Sequence, residues 1–313
     1  MKTLNVAAYG QGIMYKDLAK YRQAIRTAGW DSIILGMLHP HPEDDKKRTQ
    51  SIYFGNIPIL QNGTYIGDSK WPSQLKDLLK GEGTSLYHLL AGIGGGGVGD
   101  FANIMQIYQN NNNSFDGTVL QTNFQTFHAK FPMITMLDMD VEDAYDIPSF
   151  VAFCQMLIQI GFGITFCPYT CMDFWTGSLK QLNQSNPGAV KWWNLQCYDG
   201  GTGNDPQQWA DAISKAIPGF NTTGFILPGD WSRNLAKQDK NDPSTWYWQG
   251  DCPPAVRQLM RSFKDEPCVG GGFIWTIDQI LGYVDAQKEK PDPHPCGNVG
   301  MKDYIAAITG VLG

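Results

Sequence analysis

Residues 133–160, MITMLDMDVEDAYDIPSFVAFCQMLIQI, hold one complete strand-to-helix unit. The first six, 133–138, are mostly apolar and read as a buried strand. Acidic and small residues break the run. Helical spacing then returns over 148–160, where Pro148 suits a first turn because its missing N–H has no partner to lose there. The same unit recurs upstream. Apolar runs at 4–9, 32–38 and 86–93 read as strands, with helical patterns at 16–28 (Leu18, Tyr21, Ala24 and Ile25 at core spacing), 71–80, 101–108 and 118–130. A hairpin over 52–66 turns at Asn62-Gly63, a pair suited to the positive backbone angles of a type I′ turn. Downstream, strands at 163–167, 193–198, 224–227 and 271–275 are followed by helical segments near 178–183, 207–216, 253–263 and 301–311.

Eight consecutive β/α units without a break in composition predict an α/β protein, a single (β/α)8 TIM barrel over residues 1–313. Barrels of ~250 residues or more run as one domain. A doubly wound open sheet would carry a dinucleotide fingerprint after its first strand. Here that turn reads Tyr9-Gly10-Gln11-Gly12, without the third glycine or the ribose-binding acid.

The composition narrows the function. Lys+Arg is 24 and Asp+Glu is 30, a net charge of −6, so the basic footprint of a nucleic-acid binder is missing. Hydrophobic residues at 42% and charged residues at 17% exclude a disordered chain. No apolar run reaches the ~18 residues of a membrane span, and the N-terminus turns polar too early for a leader peptide. The chain is expected to be secreted if a leader has been removed and cytoplasmic otherwise. The ten tryptophans fill a core or offer flat faces to sugar rings; Trp175, Trp231, Trp246 and Trp248 fall in segments expected at the barrel rim. Of the seven cysteines, Cys167 and Cys171 lack a completing pair for zinc, and Cys252 and Cys268 flank a helix and would pair under oxidising conditions.

In a barrel, chemistry sits where strands end at their C-terminal side. Asp138, Asp140 and Glu142 alternate, so on an extended chain they share one face. Acids crowded on an inward face share protons or hydrogen bonds, and at least one pKa rises, as a general acid at neutral pH requires. Calcium fits poorly, because an EF-hand would want Gly at 143 and Glu at 149, where Asp143 and Ser149 stand. Other strand ends carry Gly92-Ile93-Gly94-Gly95, Gln196-Cys197-Tyr198-Asp199 and Phe273-Ile274-Trp275.

Taken in order, these four segments resemble glycoside hydrolase family 18, the chitinase and endo-β-N-acetylglucosaminidase family. Asp138, Asp140 and Glu142 match its strand-four signature. Gly95 falls in its strand-three glycine motif, and Gln196, Tyr198 and Asp199 fit strand six in the style of single-domain chitinases. Trp275 matches the floor tryptophan of strand eight, and Tyr9 looks like the strand-one aromatic. Thr135 and Met136 stand where the signature has Asp-Gly. Between 227 and 271 there is room for a loop and one helix, not for the α+β insert of many bacterial members, so a shallow groove is expected.

The resemblance implies substrate-assisted hydrolysis of β-1,4 links in chitin or chitooligosaccharides, in which the substrate's 2-acetamido oxygen is the nucleophile. Glu142 would be acid and then base. Asp140 would orient the acetamido group, Asp138 would share a proton with Asp140, and Tyr198 would hydrogen-bond the acetamido oxygen. Trp275, Tyr9, Gln196, Asp199 and Gly95 would form the sugar site. No cofactor and no metal is implied, and a monomer is expected. An endo-β-N-acetylglucosaminidase acting on N-glycans and a non-catalytic chitinase-like lectin are the alternatives.

Overall fold

The computed structural model describes residues 4–41, 50–239 and 242–313. The charged segment 39–48, HPHPEDDKKR, reads in sequence as a solvated loop, and its residues 42–48 lie outside the described residues. In chain order the strands are β1 (Asn5–Gly10), β2 (Ser32–Pro40), β3 (Ile52–Phe54), β4 (Ile57–Gln61), β5 (Thr64–Tyr65), β6 (His88–Gly94), β7 (Ile134–Asp140), β8 (Gly163–Phe166), β9 (Val190–Gln196), β10 (Ile226–Trp231), β11 (Asn234–Asp239), β12 (Asp242–Gln249) and β13 (Gly271–Trp275). Eight of them pair in parallel in the order β1-β13-β10-β9-β8-β7-β6-β2, and β1 also pairs with β2, closing a (β/α)8 barrel.

Each barrel strand buries both faces, which is why the strands read as near-continuous apolar runs. Ala7, Ile34, Leu90, Met136, Leu227 and Phe273 fill the interior. Their neighbours Val6, Ile33, Leu89, Leu137, Ile226 and Ile274 face the helical layer. Each interior chain is locked by packing, so residues at the strand ends are held with little freedom.

The structure departs from the sequence reading in several places. The first helical stretch splits into Ile13–Lys16 and Leu18–Arg26, and Ala24 is exposed. The 52–66 hairpin is a three-stranded meander that extends the sheet from β2, with Asn62 and Gly63 at φ +48° and +72° in its second turn. The short helix near 178–183 spans Met172–Ser185, because Cys171 in the left-handed region starts it earlier. An unforeseen helix, Ile277–Glu289, begins directly after β13, with the Thr276 side chain capping Gln279 N.

Between β10 and the helix Pro253–Ser262 stands the antiparallel pair β11–β12, where the reading expected only a loop. Cys252 pairs with Cys296, not with Cys268; their Cα atoms are 5.3 Å apart, within disulfide reach, while Cys268 is buried. No helix among the described residues is long and apolar enough to cross a membrane.

Candidate active site

The two-residue period of β7 turns Met136, Asp138 and Asp140 inward, and Glu142 continues the row just past the strand end. Asp138 is fully buried. Its Oδ2 accepts the Tyr9 hydroxyl at 2.6 Å, and its Oδ1 accepts Thr165 Oγ1 at 2.5 Å and Asn194 Nδ2 at 2.8 Å. Asn194 is oriented by Trp192 Nε1, 3.0 Å from its Oδ1. Burial pushes the Asp138 carboxyl up, and the three donors pull it part-way back.

Asp140 sits one step nearer the barrel mouth. Its carbonyl accepts Gly95 N at 2.9 Å. Gly94 approaches so closely, at φ +104°, that a Cβ there would collide with the same carbonyl; this explains the glycine tract at the end of β6. The Asp140 carboxylate accepts Gln196 Nε2 at 2.9 Å, and the same amide lies 3.5 Å from Glu142 Oε1.

Burial raises the Asp140 carboxyl well above the ordinary range, and the charges of Glu142 and Asp138 add to this. Glu142 is raised by burial and held back by hydrogen bonds from Gln196 and Asp140. Two carboxyls so joined lose their protons as a pair. The Asp138 carboxyl already accepts from Tyr9, Thr165 and Asn194.

A pocket of about 350 Å³ opens above this row. Asp140, Glu142, Gln196, Tyr198 and Asp199 line it, with Trp231 and Trp275 as aromatic walls. Gly96 also lines it; a Cβ there would come within 3.2 Å of Glu142 Oε2. Tyr9 and Asp138 lie beneath, with the Tyr9 and Trp275 rings 5.0 Å apart. Gly95 faces a neighbouring recess of about 340 Å³, which shares Gly96 and Trp275 with the first. A third, of about 400 Å³, shares Tyr198, Asp199 and Trp231. Three recesses thus adjoin one another through shared lining residues.

The sequence-read residues therefore converge, with exceptions. Trp175 is fully buried between Phe150 and Phe166, so it is not a rim residue. Trp248 packs on Tyr283 rather than over the pocket, and the Trp246 carbonyl accepts Lys290 Nζ. Thr135 is exposed near the start of β7 and lines a cavity with His88, Lys191 and Trp192. At ~3.3 Å per residue it stands on the order of 20 Å from Glu142, so its departure from the signature leaves the pocket untouched.

Thr165, Cys167, Asn194 and Tyr169 were missed. Thr165 and Asn194 stand two residues before Cys167 and Gln196, so alternation along β8 and β9 was the available signal. Cys167 is buried with its Sγ 3.1 Å from the Tyr9 hydroxyl. Tyr169 follows its strand with no local pattern. Among the described residues no group of three or more His, Cys, Asp or Glu is arranged to hold a metal ion.

No family model and no curated protein matches the sequence. Solved structures do match. The chitinase Chi1 of the Yersinia entomophaga toxin complex aligns at a TM-score of 0.57 and 13% identity, over 97% of this chain and 88% of that one. The shared feature is the (β/α)8 barrel. A chitinase domain from Pyrococcus furiosus, crystallised with chito-oligosaccharides, gives 0.56 at 14% identity over 88% and 84%. The Bacillus cereus spore cortex-lytic enzyme SleL gives 0.56 at 12% identity over 97% and 73%. At these identities the chitinase likeness is one of fold.

Proposed function

We propose that this chain is a glycoside hydrolase that cleaves β-1,4 links next to N-acetylglucosamine, in chitin or its oligomers, with retention and with the substrate's acetamido group as nucleophile. The observation that carries the reading is the row Asp138, Asp140, Glu142 under a pocket walled by Trp231 and Trp275. Its carboxyls follow one another along β7 and just past its end, with the Gln196 amide reaching both Asp140 and Glu142, an arrangement suited to one acid and an electrostatic partner, not to an acid facing a separate carboxylate nucleophile across the bond.

In this scheme Glu142, raised by burial, protonates the departing glycosidic oxygen and then takes a proton from water. Asp140 passes its shared proton toward Glu142 as charge builds, and its carboxylate stabilises the positive oxazolinium ring. Asp138, anchored by its three donors, keeps Asp140 aligned. Tyr198, whose hydroxyl stays protonated because burial raises it, donates to the acetamido oxygen. Gln196 fixes the spacing of Asp140 and Glu142, Trp275 carries the apolar sugar face, and Asp199 contacts the ring. The scheme uses no cofactor, and a monomer is sufficient for it.

Product analysis on N-acetyl-chitooligosaccharides beside a high-mannose glycopeptide tests the reading. Cleavage of the first supports it. Cleavage of the glycopeptide alone transfers the site to N-glycans. Binding of oligomers without cleavage makes the chain a lectin.

A further inference from the structure

The recess beyond Trp231 has a chemistry that the cleavage pocket does not need. It shares Tyr198, Asp199 and Trp231 with that pocket as lining and holds about 400 Å³. In register, Asp230 lies beside Ile274, which faces the helical layer, so its side chain turns away from the barrel interior into this outer recess. The residue is 2% exposed. One carboxyl oxygen accepts Trp231 N at 2.8 Å, and the other, Oδ2, is buried without a hydrogen-bond partner.

A buried, half-satisfied carboxyl is costly to keep and calls for a specific explanation. Asp251 and Asp199 stand exposed at the same recess, so its opening is acidic too. The charge of Arg233 acts on Asp251, but that guanidinium is already paired with Asp292 through contacts of 2.8 and 2.7 Å.

We propose that this recess is a subsite for a protonated primary amine, the 2-ammonium group of a glucosamine unit adjacent to the N-acetylglucosamine at which cleavage occurs. Asp230 Oδ2 accepts from the ammonium at the floor, Asp251 and Asp199 add attraction at the lip, and Trp231, shared by both recesses, lies against the sugar between them. A neutral acetamido group supplies no charge to this set and brings an extra acetyl to the floor. The inference rests on the hydrolase reading above. It narrows the substrate class to partially deacetylated chains, with the acetyl group kept at the cleaved unit and absent from the neighbouring one. Burial and the Asp251 charge push the Asp230 carboxyl up to about 8, so the free carboxyl holds a proton at neutral pH and releases it to solvent when the ammonium binds.

The test is digestion of a partially deacetylated chitosan of random sequence, with sequencing of the products at the new ends. Wild-type protein is expected to leave N-acetylglucosamine at the cleaved unit and to enrich glucosamine at one adjacent unit by about tenfold or more, the scale of one charge-assisted hydrogen bond. Asp230→Asn, close in shape, and Asp251→Asn, at the exposed lip where folding is not at stake, should both bring that enrichment down toward random.

Calorimetry with the Glu142→Gln variant should give the same order, a mono-glucosamine oligomer binding more tightly than its fully acetylated counterpart. Random or acetyl-rich occupancy of both adjacent units, with acetyl still required at the cleaved unit, would overturn the amine subsite and leave the hydrolase reading standing. Absence of any cleavage or binding of acetylated oligomers would remove both.

Discussion

Tyr9, near the end of the first strand, donates its hydroxyl to Asp138 on the fourth barrel strand across 2.6 Å, a contact between residues 129 apart in sequence. It ties the two sides of the barrel together under the candidate site and removes a proton donor's freedom along with a carboxylate's. Tyr9→Phe keeps the ring packing on Trp275 and leaves Asp138 with two donors. The expected cost is ~1–3 kcal/mol in a denaturant melt. The hydrogen bond favours the ionised acid, so its loss raises the Asp138 carboxyl further, and the acid limb of kcat/KM should move to higher pH. An unmoved limb would detach Asp138 from turnover.

Glu142→Gln preserves shape and the contact with Gln196 but cannot deliver a proton. Turnover on N-acetyl-chitooligosaccharides should fall by about 10²–10⁴-fold while oligomer binding persists. Unchanged turnover would take Glu142 out of the acid role.

Substrate assistance has its own signature. Cellooligosaccharides, which carry a 2-hydroxyl, and fully deacetylated chitosan should not be cleaved even when bound, and a thiazoline mimic of the oxazolinium should inhibit strongly. Asp140→Asn should reduce turnover more than Asp138→Asn, because Asp140 lines the pocket and Asp138 lies beneath it. Efficient cleavage of cellooligosaccharides would place the nucleophile on the protein.

The carboxyl of Asp230 titrates at about 8 in the folded chain, above its ordinary value of 3.8. A raised acid binds its proton more tightly folded than unfolded. Its contribution to stability is therefore complete below about 4 and is lost as pH rises toward 8. Asp230→Asn removes that loss, so the melting temperature of the variant relative to wild type should climb between pH 4 and 8. A flat difference across that range would mean that Asp230 is not held protonated.

The Cys252–Cys296 link closes a 44-residue separation. Chain-entropy arguments give such a loop about 4 kcal/mol. The double Ser variant should melt several degrees lower, and peptide mapping without reductant should recover Cys252 linked to Cys296. Recovery of a Cys252–Cys268 peptide would reverse the assignment.

The barrel was legible in sequence because both faces of its strands are buried, so each strand is an apolar run that stands out from its helix. The order of eight such units leaves few topologies. The acids on and just past β7 were legible for a related reason: three carboxylates at a spacing of two share a face wherever the chain is extended. What alternation cannot show is which residues of different strands meet. Thr165 and Asn194 are ordinary polar residues of their own strands, and they become partners of Asp138 only because parallel pairing puts β8 beside β7 and β9 beside β8 in that register. In the sequence reading Trp175 and Trp231 both follow a barrel strand, yet the first is sealed on the buried face of its own helix and the second walls the pocket. Local pattern determines which way a side chain points from its own strand or helix; only the packing of distant strands determines what it finds there, and so whether a buried carboxyl such as Asp230 is met by a partner or left open to a ligand.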